Sequence, residues 1–233
     1  MKPRICVPLP VNDFSHVGPS IQRAEAAGAD LIELRLDYLE ADALKRLDSL
    51  KEIIDGASVP LIATNRQHSQ GGQHSQEEKQ RVQALIQAAK LGFKYVDVET
   101  TTSDLRLTIR KIRRYGAEPI VSFHDFKGTP KVSEMEKIVE SQIKAGAAVC
   151  KLVTTANSLG DSVKCLLLTY RMSQATDIVC FAMGRKGMLS RALSPLMGAC
   201  FTFASLETGL ETASGQVSIA ELMQLYRRLR VYE

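Results

Sequence analysis

At 233 residues, 45% hydrophobic and 24% charged, with a net charge of +4 at pH 7, the chain can bury a sizeable core without disulfide or metal staples. Five cysteines, an odd number lacking CxxC or Cys/His spacing, exclude a disulfide scaffold and read as small core hydrophobes in a reducing compartment. No apolar run is long enough to span a bilayer, and the first strand begins too early to leave room for a signal peptide, so a cytoplasmic protein is expected.

In chain order, eight short apolar runs rich in Val, Ile and Leu alternate with longer amphipathic stretches. The runs are Arg4–Pro8, Asp30–Asp37, Pro60–Thr64, Tyr95–Glu99, Pro119–Phe123, Ala148–Val153, Ile178–Met183 and Phe201–Leu206. Each has the length and β-branched or aromatic content of a buried strand. The intervening stretches carry helical periodicity; from Glu77 to Leu91, Val82, Leu85, Ile86 and Ala89 fall on one face. Several end in a C-cap glycine just before the next strand: Gly28, Gly92, Gly116 and Gly146.

Strict alternation of strand and crossover helix requires a parallel sheet, and eight units suffice to close a (β/α)8 TIM barrel, a fold of about 250 residues. With no Ser/Pro-rich linker, residues 1–233 read as one domain. An open doubly wound sheet is the alternative, but it would place a glycine fingerprint after the first strand, where Pro8-Leu9-Pro10-Val11 stands. The cationic clusters Arg110–Arg114 and Arg227–Arg230 are interleaved with apolar residues in helical patterns. They read as solvated helix faces and point to no nucleic-acid partner. The small positive excess suits an anionic substrate.

In such a barrel the active site lies at the C-terminal ends of the strands. Lys151 lies inside the apolar run Ala147–Val153, where an unpaired ammonium is desolvated and its pKa falls. It is either a nucleophile suited to a ketone or aldehyde, or a strand-end lysine whose tip reaches water. His124 ends the preceding strand and can meet Lys151 across neighbouring strands. There it either transfers protons for a Schiff base or serves as a hydrogen-bonded structural residue. Asp125 either orients it or caps the following loop. Glu33 and Arg35, two residues apart, share a strand face and read as a polar grip on a polyhydroxylated ligand or as a structural ion pair. Arg66 and Arg191 add fixed positive charge suited to a carboxylate.

These residues, in this order, resemble the type I 3-dehydroquinate dehydratases, the Schiff-base dehydratases of the shikimate pathway. The resemblance runs through Ile5–Pro8, Glu33–Asp37, the Arg66–Gly72 loop, Ser122–Phe126, Lys151–Val153, Met183 through Arg191, and Ala213–Gln216. It implies that Lys151 forms an iminium with the C3 ketone of 3-dehydroquinate. His124 then moves a proton from C2 to the departing C1 hydroxyl, giving 3-dehydroshikimate and water. It further implies Arg191 as a carboxylate clamp, and Glu33, Arg35, Arg66, Thr212 and Gln216 as substrate-binding residues. No metal, nucleotide or flavin is implied, and a homodimer is.

Two positions depart from the family pattern. Gln70 stands where the family commonly carries a glutamate that positions the catalytic histidine, so Gln70 joins the catalytic set with reduced activity expected, unless His68 or Glu99 compensates. Ser214 replaces the usual proline of the loop that covers the substrate, which loosens that loop. Gly184–Met188 reads as a mobile wall of the pocket or as an ordinary exposed βα loop. His68 and His74 read as solvated loop residues, with no third ligand for a metal. A class I aldolase would use the same lysine but bring a phosphate-binding glycine loop; a barrel that has lost catalysis would not retain Lys151, His124 and Arg191 together.

Overall fold

The computed structural model of the chain describes residues 2–231. Eight strands, β1 (Ile5–Pro10), β2 (Leu31–Arg35), β3 (Leu61–Thr64), β4 (Tyr95–Glu99), β5 (Glu118–His124), β6 (Val149–Thr155), β7 (Ile178–Met183) and β8 (Thr202–Phe203), are joined by helical crossovers. They are α1 (Val17–Ala26), α2 (Ala41–Leu44), α3 (Lys51–Asp55), α4 (Glu78–Leu91), α5 (Leu105–Arg114), α6 (Val132–Ala145), α7 (Leu159–Met172) and α8 (Met188–Leu193), with α9 (Ile219–Arg228) after the last strand. All strand pairs are parallel, in the order β7-β6-β5-β4-β3-β2-β1-β8. The sheet curls into the expected (β/α)8 barrel with one thin seam. There β8 is two residues long rather than six, and Cys200 N–H donates to Ile178 O at 2.9 Å.

The two-residue period of the strands divides the interior from the outer layer. Alternate residues such as Ile32, Leu34, Val96 and Val98 point outward and join one large core beneath the helices. The inward set fills the barrel from below with Cys6, Leu31, Ile62, Ile120, Val149, Val179 and Phe201. Two residues further along the same strands the inward positions turn polar: Glu33, Thr64, Asp97, Ser122 and Lys151 are all buried. The fold therefore carries an apolar plug with a layer of charge on top, opening to the C-terminal mouth.

Gly92 and Gly146 end α4 and α6 in the left-handed region, at φ 102° and 100°, as C-cap glycines require. The face of α4 is rotated from its sequence expectation. Val82 and Ile86 are half-buried, whereas Arg81, Ala84, Leu85 and Ala88 face inward. All five cysteines are free, and four are buried, including Cys165 on α7.

Candidate active site

The mouth of the barrel holds a cavity of about 340 Å3 whose walls include Glu33, Arg35, Arg66, Gln70, His124, Lys151, Arg191, Thr212 and Gln216. These nine residues, given catalytic or substrate-binding roles from the sequence, are thus brought to one place, whereas Asp125, His68 and Glu99 do not line the cavity. The register explains how. β5 and β6 pair Ser122 with Lys151 and His124 with Val153, so the lysine sits one inward step below the histidine on neighbouring strands.

Lys151 is not left alone in apolar surroundings. Its Nζ donates to Asp97 Oδ2 at 2.9 Å and to Glu33 Oε1 at 3.4 Å, and lies 4.5 Å from the centroid of the Phe203 ring. Glu33 Oε1 also accepts from Thr64 Oγ1 at 2.7 Å. An ammonium with two buried carboxylates is a paired charge, so the earlier contrast between a stranded lysine and one reaching for water does not apply.

Asp97 also holds Arg66 at 2.9 Å and accepts from Ser122 Oγ at 2.6 Å. Ser122 in turn accepts from Arg66 Nη1 at 2.7 Å, and Glu99 Oε1 takes that nitrogen at 2.8 Å. Burial raises the Asp97 carboxyl, but Arg66 and Lys151 more than offset it and leave it far below the usual range. The same burial works against the Arg66 cation, and Asp97 and Glu99 outweigh it, so the guanidinium is locked in its charged form.

Arg35 lies at the rim in a two-point pair with Asp37, Nε to Oδ1 at 2.8 Å and Nη2 to Oδ2 at 2.7 Å. Its partner is Asp37 and not Glu33, which is committed to Lys151 and Thr64. Gly71 O accepts a longer bond from Arg35 at 3.4 Å. The loop after β3 reaches across to β5: Gln70 Oε1 accepts the backbone N–H of His124 at 2.9 Å. The contact is to the main chain and not to the imidazole.

Neither expected substitute for the family glutamate reaches His124. His68 Nδ1 is paired with Gly72 O at 3.0 Å, and Glu99 is spent on Arg66, Gln67 N–H and Arg81. His124 Nδ1 is buried without a hydrogen-bond partner, and its ring stacks on Phe126 with centroids 6.3 Å apart. Burial lowers the imidazole well below its ordinary value; Arg66 and Lys151 push it further down and Asp97 only partly opposes them. The imidazole of His124 therefore favours its neutral form at pH 7. Asp125 accepts from Lys127 and Gly128 N–H groups and caps the loop.

Arg191, on α8, is the cation left without a carboxylate among the described residues of the cavity wall. It is buried, its Nε and Nη2 lack hydrogen-bond partners, and its guanidinium carbon lies 4.1 Å from the centroid of the Phe181 ring. Burial pushes it down to about 9, leaving it charged at pH 7. A buried cation without a counter-ion is a receptor for an anion. Across the mouth, Gln216 Oε1 accepts from Thr212 N–H at 2.8 Å, so the two residues turn one loop toward the cavity.

Gly184–Met188, expected as a mobile wall, is tied down. Gly187 N–H bonds Gly184 O, Ser162 Oγ bonds Lys186 O at 2.7 Å, and a Cβ on Gly187 would stand 2.2 Å from Ala182 O. His74 faces Glu40 at 3.9 Å, away from the cavity. Among the described residues, no group of three His, Cys, Asp or Glu is placed to hold a metal ion. No helix among the described residues is long and apolar enough to cross a membrane.

Sequence reasoning missed Asp97, Ser122 and the ring faces of Phe181 and Phe203. Asp97 was legible: Asp97 and Glu99 share the inward face of an apolar strand by the same two-residue period that singled out Glu33 and Arg35.

Comparison with known proteins bears on the family and the fold of the chain. A family model described as type I 3-dehydroquinase matches residues 5–233. The 3-dehydroquinate dehydratase of Dehalococcoides mccartyi is 35% identical over 208 residues, covering 89% of each chain. The chloroplastic bifunctional 3-dehydroquinate dehydratase/shikimate dehydrogenase of Arabidopsis thaliana is 31% identical over 228 residues, 97% of this chain and 37% of that one. The 3-dehydroquinate dehydratase structure from Geobacillus kaustophilus superposes with a TM-score of 0.91 at 24% identity, over all of this chain and 93% of that one, and supports the fold. With the family model spanning all but the first four residues, the chain belongs to the type I 3-dehydroquinases, enzymes of the hydro-lyase class.

Proposed function

We propose that residues 1–233 form one catalytic domain that dehydrates 3-dehydroquinate through a Schiff base on Lys151. The observation that carries this reading is one cavity holding a strand lysine, a neutral histidine on the next strand and an arginine without a counter-ion. The substrate carboxylate replaces the missing partner of Arg191. Its hydroxyls are held by Glu33, Arg35, Arg66, Thr212 and Gln216.

Lys151, once it has given a proton to His124, attacks the C3 ketone, and His124 returns that proton to the departing carbinolamine hydroxyl, which leaves as water and gives an iminium. The iminium acidifies C2, and His124 removes that proton to give an enamine. Collapse of the enamine expels the C1 hydroxyl, which takes its proton back from His124 and leaves as water. Hydrolysis of the iminium then returns Lys151 and releases 3-dehydroshikimate. Gln70 contributes by holding the end of β5 through the His124 amide, and the neutral amide leaves the imidazolium without a carboxylate, which slows the steps that need it. No cofactor takes part in this scheme. The enzyme works in the cytoplasm as a homodimer.

The test is mass spectrometry after borohydride reduction in the presence of 3-dehydroquinate, with Lys151→Ala as control. A stable adduct on Lys151, absent from the variant, is expected. Turnover without an adduct, or an adduct that survives Lys151→Ala, overturns the scheme.

A further inference from the structure

Arg81 is among the largest fully buried side chains of the molecule, and it lies outside the barrel, on the first turn of α4. Such a residue is seldom inside unless every donor is used. Here all five N–H groups are. Nε and Nη2 grip Glu78 at 2.9 and 3.0 Å, Nη2 also reaches Thr102 Oγ1 at 2.8 Å, and Nη1 takes Asn65 O at 3.1 Å and Glu99 Oε2 at 2.6 Å.

These contacts converge on one neighbour. Asn65 and Gln67 flank Arg66: Arg81 holds the carbonyl of the first directly. The second is held through Glu99, whose Oε1 accepts Gln67 N–H at 3.1 Å. The same oxygen holds the Arg66 guanidinium at 2.8 Å. Arg66 lines the cavity, whereas neither Arg81 nor Glu99 does.

We propose that Arg81 is a positioning residue for substrate binding: acting through Glu99 and the Asn65 carbonyl, it fixes the side chain and the backbone of Arg66 in the cavity wall. This deepens the reading of Arg66 as a substrate-binding residue and rests on it. Without the guanidinium, Glu99 keeps a buried oxygen with no donor and can turn away from Arg66, while the loop after β3 loses its tie to α4. Arg66 keeps its own contact with Asp97, and Lys151 and His124 stand on strands of their own, so the loss is expected in substrate affinity with little change in the chemical step.

The experiment is a double-mutant cycle of Arg81→Gln and Arg66→Ala, read as kcat and KM for 3-dehydroquinate. Arg81→Gln is expected to raise KM on the order of tenfold with kcat within about twofold, and to change KM no further once Arg66 is alanine. Arg81→Lys, which reaches Glu99 but cannot span the other partners, should recover part of the loss. If Arg81→Gln does not fold, Glu99→Gln replaces it, since the new amide can still accept from Arg66 but cannot satisfy Arg81. A KM effect of equal size in both Arg66 backgrounds, or a fall in kcat alone, overturns the inference. An Arg66→Ala effect with none from the second site overturns the inference only. No effect of Arg66→Ala on KM overturns the substrate-binding reading of Arg66 and the inference with it.

Discussion

His124 shows how much of a residue's chemistry is set by what surrounds it. An exposed imidazole is half-protonated near pH 6.5. This one is half-buried with its Nδ1 enclosed, sits near Arg66, Lys151 and Arg35, and has no partner on Nδ1 to stabilise the charged form. The proposed base therefore stays neutral, and kcat/KM should hold level through pH 6.5 and fall only at lower pH. The linkage has a definite sign. With the folded value below the unfolded one, the unfolded chain binds more protons, so stability is fully present above about pH 6.5 and is lost as pH falls toward the folded value. A pH series of kcat/KM beside one of Tm checks both; an acid limb centred at 6.5 would contradict the burial argument. Arg191 illustrates the complementary case, a buried cation without a counter-ion, held at a cost in stability that suits the carboxylate-binding role proposed for it.

At the scale of elements, the loop before α9 is the clearest case of local sequence writing local geometry. Gln216 N–H bonds Ala213 O at 3.3 Å and Gly215 has φ +77°, with Ser214 between them outside the left-handed region, which makes residues 213–216 a type II turn. Its second position suits proline, and no bond to the Ser214 N–H would be lost among the backbone contacts of the turn. Ser214→Pro should therefore stiffen the open loop, stabilise the fold by about 0.4–1 kcal/mol and lower KM a few-fold with kcat unchanged. Thermal unfolding and steady-state kinetics of the variant measure the two effects, and a destabilised variant would reject the turn assignment.

Most of the strands and the rim of the site were legible in the same local way. Periodicity located β4 and β7 to the residue, and chemistry at strand ends located Lys151, His124, Glu33 and Arg35. What escaped has one physical cause. Apolar periodicity reads burial as hydrophobicity, so it turned the face of α4 toward Val82 and Ile86 and could not see that Arg81 is buried by ion pairing. Similarly, β8 was overestimated because Phe201–Leu206 is apolar for packing against the barrel, while only Thr202 and Phe203 pair as a strand.

For the whole molecule, the outer face of α7 is out of keeping with a solvated helix. Leu159, Val163, Leu167 and Tyr170 follow one stripe and are 64, 57, 39 and 59% exposed, and Met188, Leu189 and Leu196 extend it. At roughly 200 Å2 for a fully exposed side chain of this size, the patch offers about 700 Å2 of apolar surface, close to one partner's share of a stable interface. If the chain forms the homodimer proposed above, this patch is the surface expected to be buried, patch against patch. Val163→Glu together with Leu167→Glu should convert a dimer to a monomer in sedimentation or light scattering. A wild-type chain that is monomeric at micromolar concentration would refute this.

The seam beside β8 gives the barrel a direction in time. From β1 to β7 each strand pairs with its neighbour in sequence, so the sheet can grow by short local steps. The ring is completed only when Ile5 meets Thr202 and Cys6 meets Phe203, two register pairs spanning nearly the whole chain. Loop-closure entropy makes that contact the hardest to form, and two residues offer little to reward it early. Until it forms, Lys151 and His124 stand on an open sheet in water, and Arg191 has no wall to belong to. Activity in a refolding experiment is therefore expected to appear together with the β1–β8 pairing and not before it.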